Sequence, residues 1–478
     1  MRSFGNPGRC PFEQQNTQTG HSQPLPRFVI RSPALSPAGR GIWRGASLQR
    51  IPAASQADEP GVSFRLHRLD PESSTKICWR LRVIMVAMFS RRTDWKLTPN
   101  RFTQAHVELQ AAGMDVLDLT VSNPTRADLH YDAEAILAAF VNPAAMDYDP
   151  QPKGLRSARE AVAAYYRKQH EEFDVDSESM VLTTSTSEGY SYVFRLLCNP
   201  EDEILVPKPS YPLFEFLAAL QDVKLVPYPL LYDHGWQIDF PSLYKAVNHR
   251  TRAVVVVHPN NPTGSYVSAQ EQAELNGFCR EYNLSLIVDE VFLDYPHDGA
   301  PRQTFATNRD TLTFTLSGIS KISGLPQMKL AWIVTSGPGE QVTAAMARLE
   351  IIADTYLSMS APIQLAAPVL LEQRTGTQPL LLDRVRENLA ELDRQLAEQQ
   401  TCARLAVEGG WYAVLRVPAT QSDEDLAIAI LRKECVLVHP GHFYDFPSDG
   451  YLVVSLITPP GHFREGLEQV LDLLNGQE

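Results

Sequence analysis

From about residue 95 the chain alternates between short apolar runs and stretches with helical spacing. "MVLTTS", "DEILVPK", "KLVPYPL", "AVVVVHP", "LSLIVDE", "LTFTLS" and "LAWIVTS" predict strands. Several are unbroken rather than alternating, the pattern of a parallel sheet covered on both faces. Between them, "GLRSAREAVAAYYRKQ" (154–169) places Leu155, Ala158, Val162 and Tyr165 on one helical face, and "SEGYSYVFRLLC" turns Tyr190, Val193, Phe194 and Leu197 inward. A long helical stretch is predicted from about 338 to 400. The remainder, "GWYAVLRV", "CVLVHPG", "YLVVSLI" and a helix over 463–474, predicts a small α+β unit. Strands separated by helices predict an α/β fold, a mostly parallel, doubly wound sheet in three layers beside that smaller unit.

The length, 478 residues, exceeds what one simple core accommodates and predicts two packed domains. We expect a disordered leader over 1–87, an N-terminal arm with part of the small domain over 88–140, a large domain over 141–369 and the rest of the small domain over 370–478. The first 87 residues hold twelve Lys and Arg against five Asp and Glu, and the remainder holds 31 against 51. That leader is rich in Pro, Ser, Gly and Arg and keeps no steady period. It is a transit-like segment, a disordered tail, or sequence translated upstream of the true start; we favour the last, with Met88 as the functional start. The net charge of −13 argues against nucleic-acid and anionic-membrane partners. Six scattered cysteines without a Cys-x-x-Cys fit reduced thiols and a cytoplasmic location. The longest apolar stretch there, "VIMVAMF", is far short of a membrane span.

In a doubly wound sheet, ligands sit beyond the carboxyl ends of the strands. Four runs end in polar residues: Thr184-Ser185, "HPNNPTG" (258–264), Asp289-Glu290, and the loop Ser317 to Lys321. Lys321 is an amine at that edge, able to join an aldehyde cofactor; taken alone, it reads as a surface lysine. Asp289 ends a buried run, where it pairs with a protonated ring nitrogen or caps a helix. Ser185 and Glu188 have capping-box spacing, and the amides of Thr186 and Ser187 at the same helix start suit a phosphate. Tyr211 in "PSYP" is either a stacking partner for a planar ring or a core residue, and Asn261 either a donor to a ring oxygen or an Asx turn.

Taken together and in order, "NNPTG", "DEVF" and the Ser-Lys loop followed by "GLP" resemble the aspartate aminotransferase superfamily, class I/II pyridoxal-5′-phosphate enzymes, over roughly 95–475. Lys321 follows Asp289 by 32 residues, a spacing of the family's kind. The resemblance implies an aspartate-aminotransferase-like large domain that binds pyridoxal 5′-phosphate, with no metal. It implies that Lys321 carries the cofactor and then moves a proton, and that Asp289 pairs with the pyridine nitrogen. Asn261 would contact the ring hydroxyl and the substrate carboxylate, and Tyr211 would stack on the ring. Thr186, Ser187 and Ser320 would hold the phosphate, with Lys329 at the place of the family's arginine as a point charge. Tyr148 resembles the tyrosine that reaches the neighbouring subunit's phosphate, which implies a homodimer.

Two positions depart from the family's pattern. Phe292 stands where a tyrosine usually donates to the ring oxygen, so the cofactor-bound Lys321 nitrogen should have a higher pKa than usual. Val453 stands where an arginine usually grips the substrate's α-carboxylate. We expect Arg126, in "LTVSNPTRADL", to take over that carboxylate, against its being a solvent-exposed loop arginine. "HPGHFYDF" (439–446) offers His439, His442 and Tyr444 to the pocket wall, each histidine alone reading as structural. The expected activity is transfer of an amino group from an L-amino acid to a 2-oxo acid, with a lyase or decarboxylase on the same scaffold as the alternative. A transcriptional regulator would need a helix-turn-helix, which the Pro- and Gly-rich leader does not show.

Overall fold

The computed structural model describes residues 88–476, apart from Lys96, His170, Glu171, Phe173 and Leu213. The expectations for a disordered leader and for a start at Met88 turn on residues 1–87 and lie outside the described residues.

Fourteen strands are present among the described residues. The first is β1 (Leu117–Asp118). Then come β2 (Met180–Thr183), β3 (Glu203–Lys208), β4 (Lys224–Tyr232), β5 (Trp236–Ile238), β6 (Thr251–Val257), β7 (Ser285–Asp289), β8 (Thr313–Gly318) and β9 (Ala331–Ser336). The last are β10 (Ala403–Arg404), β11 (Tyr412–Arg416), β12 (Val436–Leu437), β13 (His439–Pro440) and β14 (Tyr451–Ser455). Eight of them form one sheet in the order β2-β9-β8-β7-β6-β3-β4-β5. The central pairs β8-β7, β7-β6, β6-β3 and β3-β4 are parallel, while β9 and the edge strand β5 run antiparallel to their neighbours. All seven apolar runs of the first group are strands of this sheet.

Every residue of β7, β8 and β9 is buried, as unbroken apolar runs require when helices cover both faces. One apolar cluster joins Ile287, Phe314 and Ile333 to Val193 and Phe194 of helix Thr186–Leu197 and to Leu349 of helix Gly339–Tyr356. On the other face Val254, Val256, Leu286 and Val288 pack with Leu275 and Phe278 of helix Ala269–Tyr282. The sequence predicted one long helical stretch to about residue 400; the chain breaks it into Gly339–Tyr356, Ala361–Glu372 and Arg374–Leu396. The first break falls at Leu357, which takes a left-handed φ of 68° and leads into the Ser360–Ala361–Pro362 start of the next helix. Proline there fits a first turn, whose amides lack partners anyway.

The second sheet, β10-β11-β14-β13, is antiparallel. Its core is a separate cluster that includes Trp411, Val414, Leu452, Val453 and Phe463. Helix Pro460–Asn475 closes that core, and β1 pairs in parallel with β12, tying residues 117–118 to this end of the chain. No helix among the described residues is long and apolar enough to cross a membrane.

Candidate active site

The polar strand ends converge on one cavity of about 300 Å³. Its walls include Thr186, Ser187, Tyr211, Asn261, Asp289, Ser320 and Lys321, seven of the ten residues expected from the sequence to act on cofactor or substrate. Ser122, Ser185, Tyr190, Phe292, Tyr412, His439 and Tyr444 complete the polar and aromatic lining.

Lys321 is delivered by a single helical turn, Ile319–Ile322, directly after β8. Ile319 and Ile322 are buried and anchor the turn, which leaves Ser320 and Lys321 on its cavity side. Gly318 permits the approach: a Cβ there would lie 2.9 Å from the Leu330 carbonyl oxygen. The Lys321 ammonium donates to the Ser122 carbonyl oxygen at 3.1 Å. It also sits 4.7 Å from the Trp411 ring centroid and 5.4 Å from that of Phe292. Burial pushes its pKa down to about 8, an effect that the Asp289 carboxylate partly offsets.

Asp289 is the last residue of β7 and is buried. Its carboxylate accepts from the Tyr190 hydroxyl at 3.2 Å and from the Val291 amide at 3.1 Å. Burial outweighs these donors and raises its pKa to about 6. A buried carboxylate that desolvation penalises in this way is stabilised by a cation brought against it.

The two adjacent asparagines after β6 divide the work. Asn260 is tied into the fold: its amide donates to the Pro209 carbonyl at 3.0 Å and to the Thr263 hydroxyl at 2.9 Å, and it accepts from Ser210 at 3.2 Å. Asn261 lines the cavity, and its amide oxygen is buried with no partner among the described residues. Such an orphan calls for a donor from a bound group. The loop is pinned by Gly264 at φ 70°, whose carbonyl accepts from the Gly409 amide at 2.9 Å; a Cβ there would collide with the Gly409 carbonyl.

Helix Thr186–Leu197 begins at the cavity. Ser185 caps it by accepting from the Glu188 amide at 3.2 Å, while the Glu188 carboxylate reaches back to Thr184 at 2.6 Å rather than to Ser185. The capping box expected from the spacing is therefore half formed, shifted by one residue. The first amides, of Thr186 and Ser187, precede any intrahelical acceptor and carry the positive end of the helix dipole. This set of groups fits a phosphorylated pyridine aldehyde: an amine, a buried carboxylate, an orphaned acceptor and a helix start that would hold the phosphate.

Three residues read from the sequence are absent from the cavity wall. Arg126 ends the short turn Pro124–Arg126 and is exposed, four residues beyond Ser122. Lys329 takes a left-handed φ of 54° after the turn Pro326–Met328 and is also exposed. Tyr148 is 79% exposed. His439 and Tyr444 do line the cavity, whereas His442 is exposed. Phe292 is buried against Trp411, with ring centroids 5.1 Å apart. Sequence reasoning missed Tyr190, Ser122 and Tyr412. The helical period placed Tyr190 inward, but nothing local signalled that its hydroxyl meets Asp289.

Such an arrangement defines a pyridoxal-phosphate enzyme of the aminotransferase kind. The model of the family "Aminotransferase class I and II" matches residues 114–470, and the chain belongs to that family. It is 27% identical over 359 residues to the glutamate-pyruvate aminotransferase AlaA of Haemophilus influenzae, covering 73% of this chain and 88% of that one. It is 28% identical over 369 residues to the alanine aminotransferase of Mycobacterium bovis, covering 75% and 84%. The solved alanine aminotransferase of Pyrococcus furiosus shares the fold, with a TM-score of 0.74 at 21% identity over 81% of this chain and 100% of that one. Amino-group transfer is thus the activity of this chain, with pyridoxal phosphate as cofactor. None of these relatives is named as a lyase or decarboxylase.

Proposed function

We propose that the chain moves the amino group of a small neutral L-amino acid to a 2-oxo acid, with Lys321 and Asp289 at the reacting centre. The observation that carries this is the pairing of a depressed-pKa amine with a buried carboxylate in one cavity, beside the orphaned Asn261 oxygen. Lys321 would hold the cofactor, Asp289 its ring nitrogen, Asn261 its ring hydroxyl and Tyr211 its face. Thr186, Ser187 and Ser320 would hold its phosphate. When bound, the cofactor supplies an electron sink for the bond broken at the substrate's α-carbon.

The protein's own part is positional and acid–base. Lys321, held by the Ser122 carbonyl, is aimed across the cavity and takes and returns the α-proton through its Nζ. Asp289 keeps a positive charge on its partner by staying ionised, helped by Tyr190 and the Val291 amide. Tyr412 and His439 from the second sheet, with Tyr444 from the short turn Gly441–Tyr444 after β13, limit the entry of water.

The printed names of the relatives support alanine as donor, as do the apolar walls Pro212, Leu217, Val291 and Phe292. Lys321 is the one lining side chain among the described residues that is cationic at neutral pH, which does not favour a dicarboxylic donor. We further propose a large domain over 141–369, a small one made from 88–140 and 370–478, a cytoplasmic location and a homodimer. Exposed apolar side chains at Leu137, Val141, Met146, Ile351 and Leu357 suit coverage by a second copy, through which Tyr148 would enter the partner's site. Lys329 counts as a distant positive charge.

The test is an absorbance titration of cofactor-loaded protein with a panel of L-amino acids and no acceptor. Conversion of one equivalent of cofactor to its amine form, reversed by a 2-oxo acid, supports the reading. Continuous release of ammonia or carbon dioxide without acceptor contradicts it.

A further inference from the structure

The register of the second sheet bears on what holds the substrate carboxylate, a question that rests on the aminotransferase reading above. Strand β14 lies between β11 and β13. Val453 is paired with His439 on one side and with Val414 on the other, and two residues on Ser455 is paired with Tyr412. Directly opposed residues of antiparallel strands share a face, and so do residues two apart. His439, Val453, Val414, Ser455 and Tyr412 therefore share one face of the sheet. His439 and Tyr412 both line the cavity, whereas Val453 is fully buried and does not. The short valine at 453 does not emerge between them; the wall is formed instead by His439, opposite it on β13, and by Tyr412, diagonal to it on β11. Ser455 is already committed, donating to the Val121 carbonyl at 2.5 Å.

The chemistry of the flanking pair is specific. Nδ1 of His439 is 3.0 Å from the Tyr444 hydroxyl. A neutral imidazole that accepts at Nδ1 carries its proton on Nε2. Nε2 has no protein partner among the described residues. Burial holds the ring neutral. Tyr412 stands beside Ser122 and Tyr211 and is an un-ionised donor, its pKa raised by burial. A carboxylate can be bound without a guanidinium when several donors converge on it, since hydrogen bonds to a charged acceptor are the stronger kind. Arg126, by contrast, is exposed and outside the cavity wall.

We propose that the α-carboxylate of the amino-acid substrate is held by Nε2–H of His439 and the hydroxyl of Tyr412, standing on either side of Val453, with Tyr444 as the positioning residue that sets the His439 tautomer. The grip is neutral and built from two strands, in place of one charged fork from β14.

The test compares 2-methylalanine, which carries the amine and the carboxylate but no α-hydrogen, with its uncharged amide. Each is titrated against cofactor-loaded protein by absorbance. The wild-type protein should prefer the acid. Tyr412→Phe and His439→Ala should each weaken the acid about tenfold while leaving the amide within about twofold. His439→Gln, whose amide N–H reaches the Nε2 position, should recover part of the loss, and Tyr444→Phe should weaken the acid less than His439→Ala. Arg126→Ala should change neither ligand. Equal weakening of acid and amide, or an effect of Arg126→Ala confined to the acid, would overturn the proposal while leaving the aminotransferase reading standing. If the wild-type protein, shown to contain cofactor, responds to neither ligand, both fall together.

Discussion

The two sheets contribute to the site in different ways. The eight-stranded sheet presents residues that lie just beyond strand ends: Asn261 after β6, Asp289 at the end of β7, Ser320 and Lys321 after β8. The four-stranded sheet presents side chains of paired strand residues, the first of β11 (Tyr412) and the first of β13 (His439), selected by register. Strand ends concentrate dipoles, turns and titratable groups that can be exposed on one side only, so chemistry collects there. Strand faces offer graded shape and hydrogen bonding, which suits discrimination between substrates. On the proposed roles, bond-making falls to the first sheet and recognition to the second.

Breaking the first half should cost most. Lys321→Ala should lower kcat by a factor on the order of 10⁴, because in the proposed function one amine both holds the cofactor and moves the proton. Single-turnover mixing with amino acid would show it; a loss below tenfold would move the proton transfer elsewhere. Asp289→Asn should lower kcat roughly 10²- to 10³-fold while leaving the fold intact, read by turnover beside circular dichroism.

The pH dependence of cofactor capture should be smaller and has a definite sign. With its pKa lowered to about 8, Lys321 is mostly protonated at pH 7 and mostly neutral at pH 9. The rate at which cofactor-free protein takes up pyridoxal phosphate should rise about tenfold over that interval and then level off. Asp289, with a pKa near 6, is already ionised throughout and adds no slope there. A flat profile would mean that the amine is not the titrating group.

The smallest effect probes how the strand end is supported. Tyr190→Phe removes a donor from the Asp289 carboxylate, so the Asp289 pKa should rise further and cofactor affinity should fall roughly three- to tenfold. Equilibrium dialysis against pyridoxal phosphate measures it.

The same contrast explains what was legible in the sequence. Lys321, Asp289, Asn261, Thr186 and Ser187 each follow a recognisable apolar run by a residue or a few, so position along the chain located them in space. Asn260 and Asn261 were not separable that way, because only packing shows which amide is spent on Pro209 and Thr263. The wall of Tyr412, His439 and Val453 depends on register among three strands distant in sequence, and a shift of one residue would turn every side chain to the other face. Arg126, Lys329 and Tyr148 were placed by their offset from motifs, yet the reach of an exposed side chain is decided by neighbours that no local pattern encodes. The long helical stretch expected near 338–400 divides at Leu357, whose left-handed φ its side chain disfavours, and again at Gln373, breaks that no local pattern announced.

The central claim is that Lys321, and no other lysine, carries the cofactor. Borohydride reduction of the loaded protein fixes the cofactor to whichever lysine holds it, and peptide mass mapping locates it. The account predicts the added mass on the peptide containing Lys321, and its disappearance when a tightly binding amino acid is present before reduction. A stable adduct at Lys208, Lys329 or another lysine, with Lys321 unmodified, would contradict it.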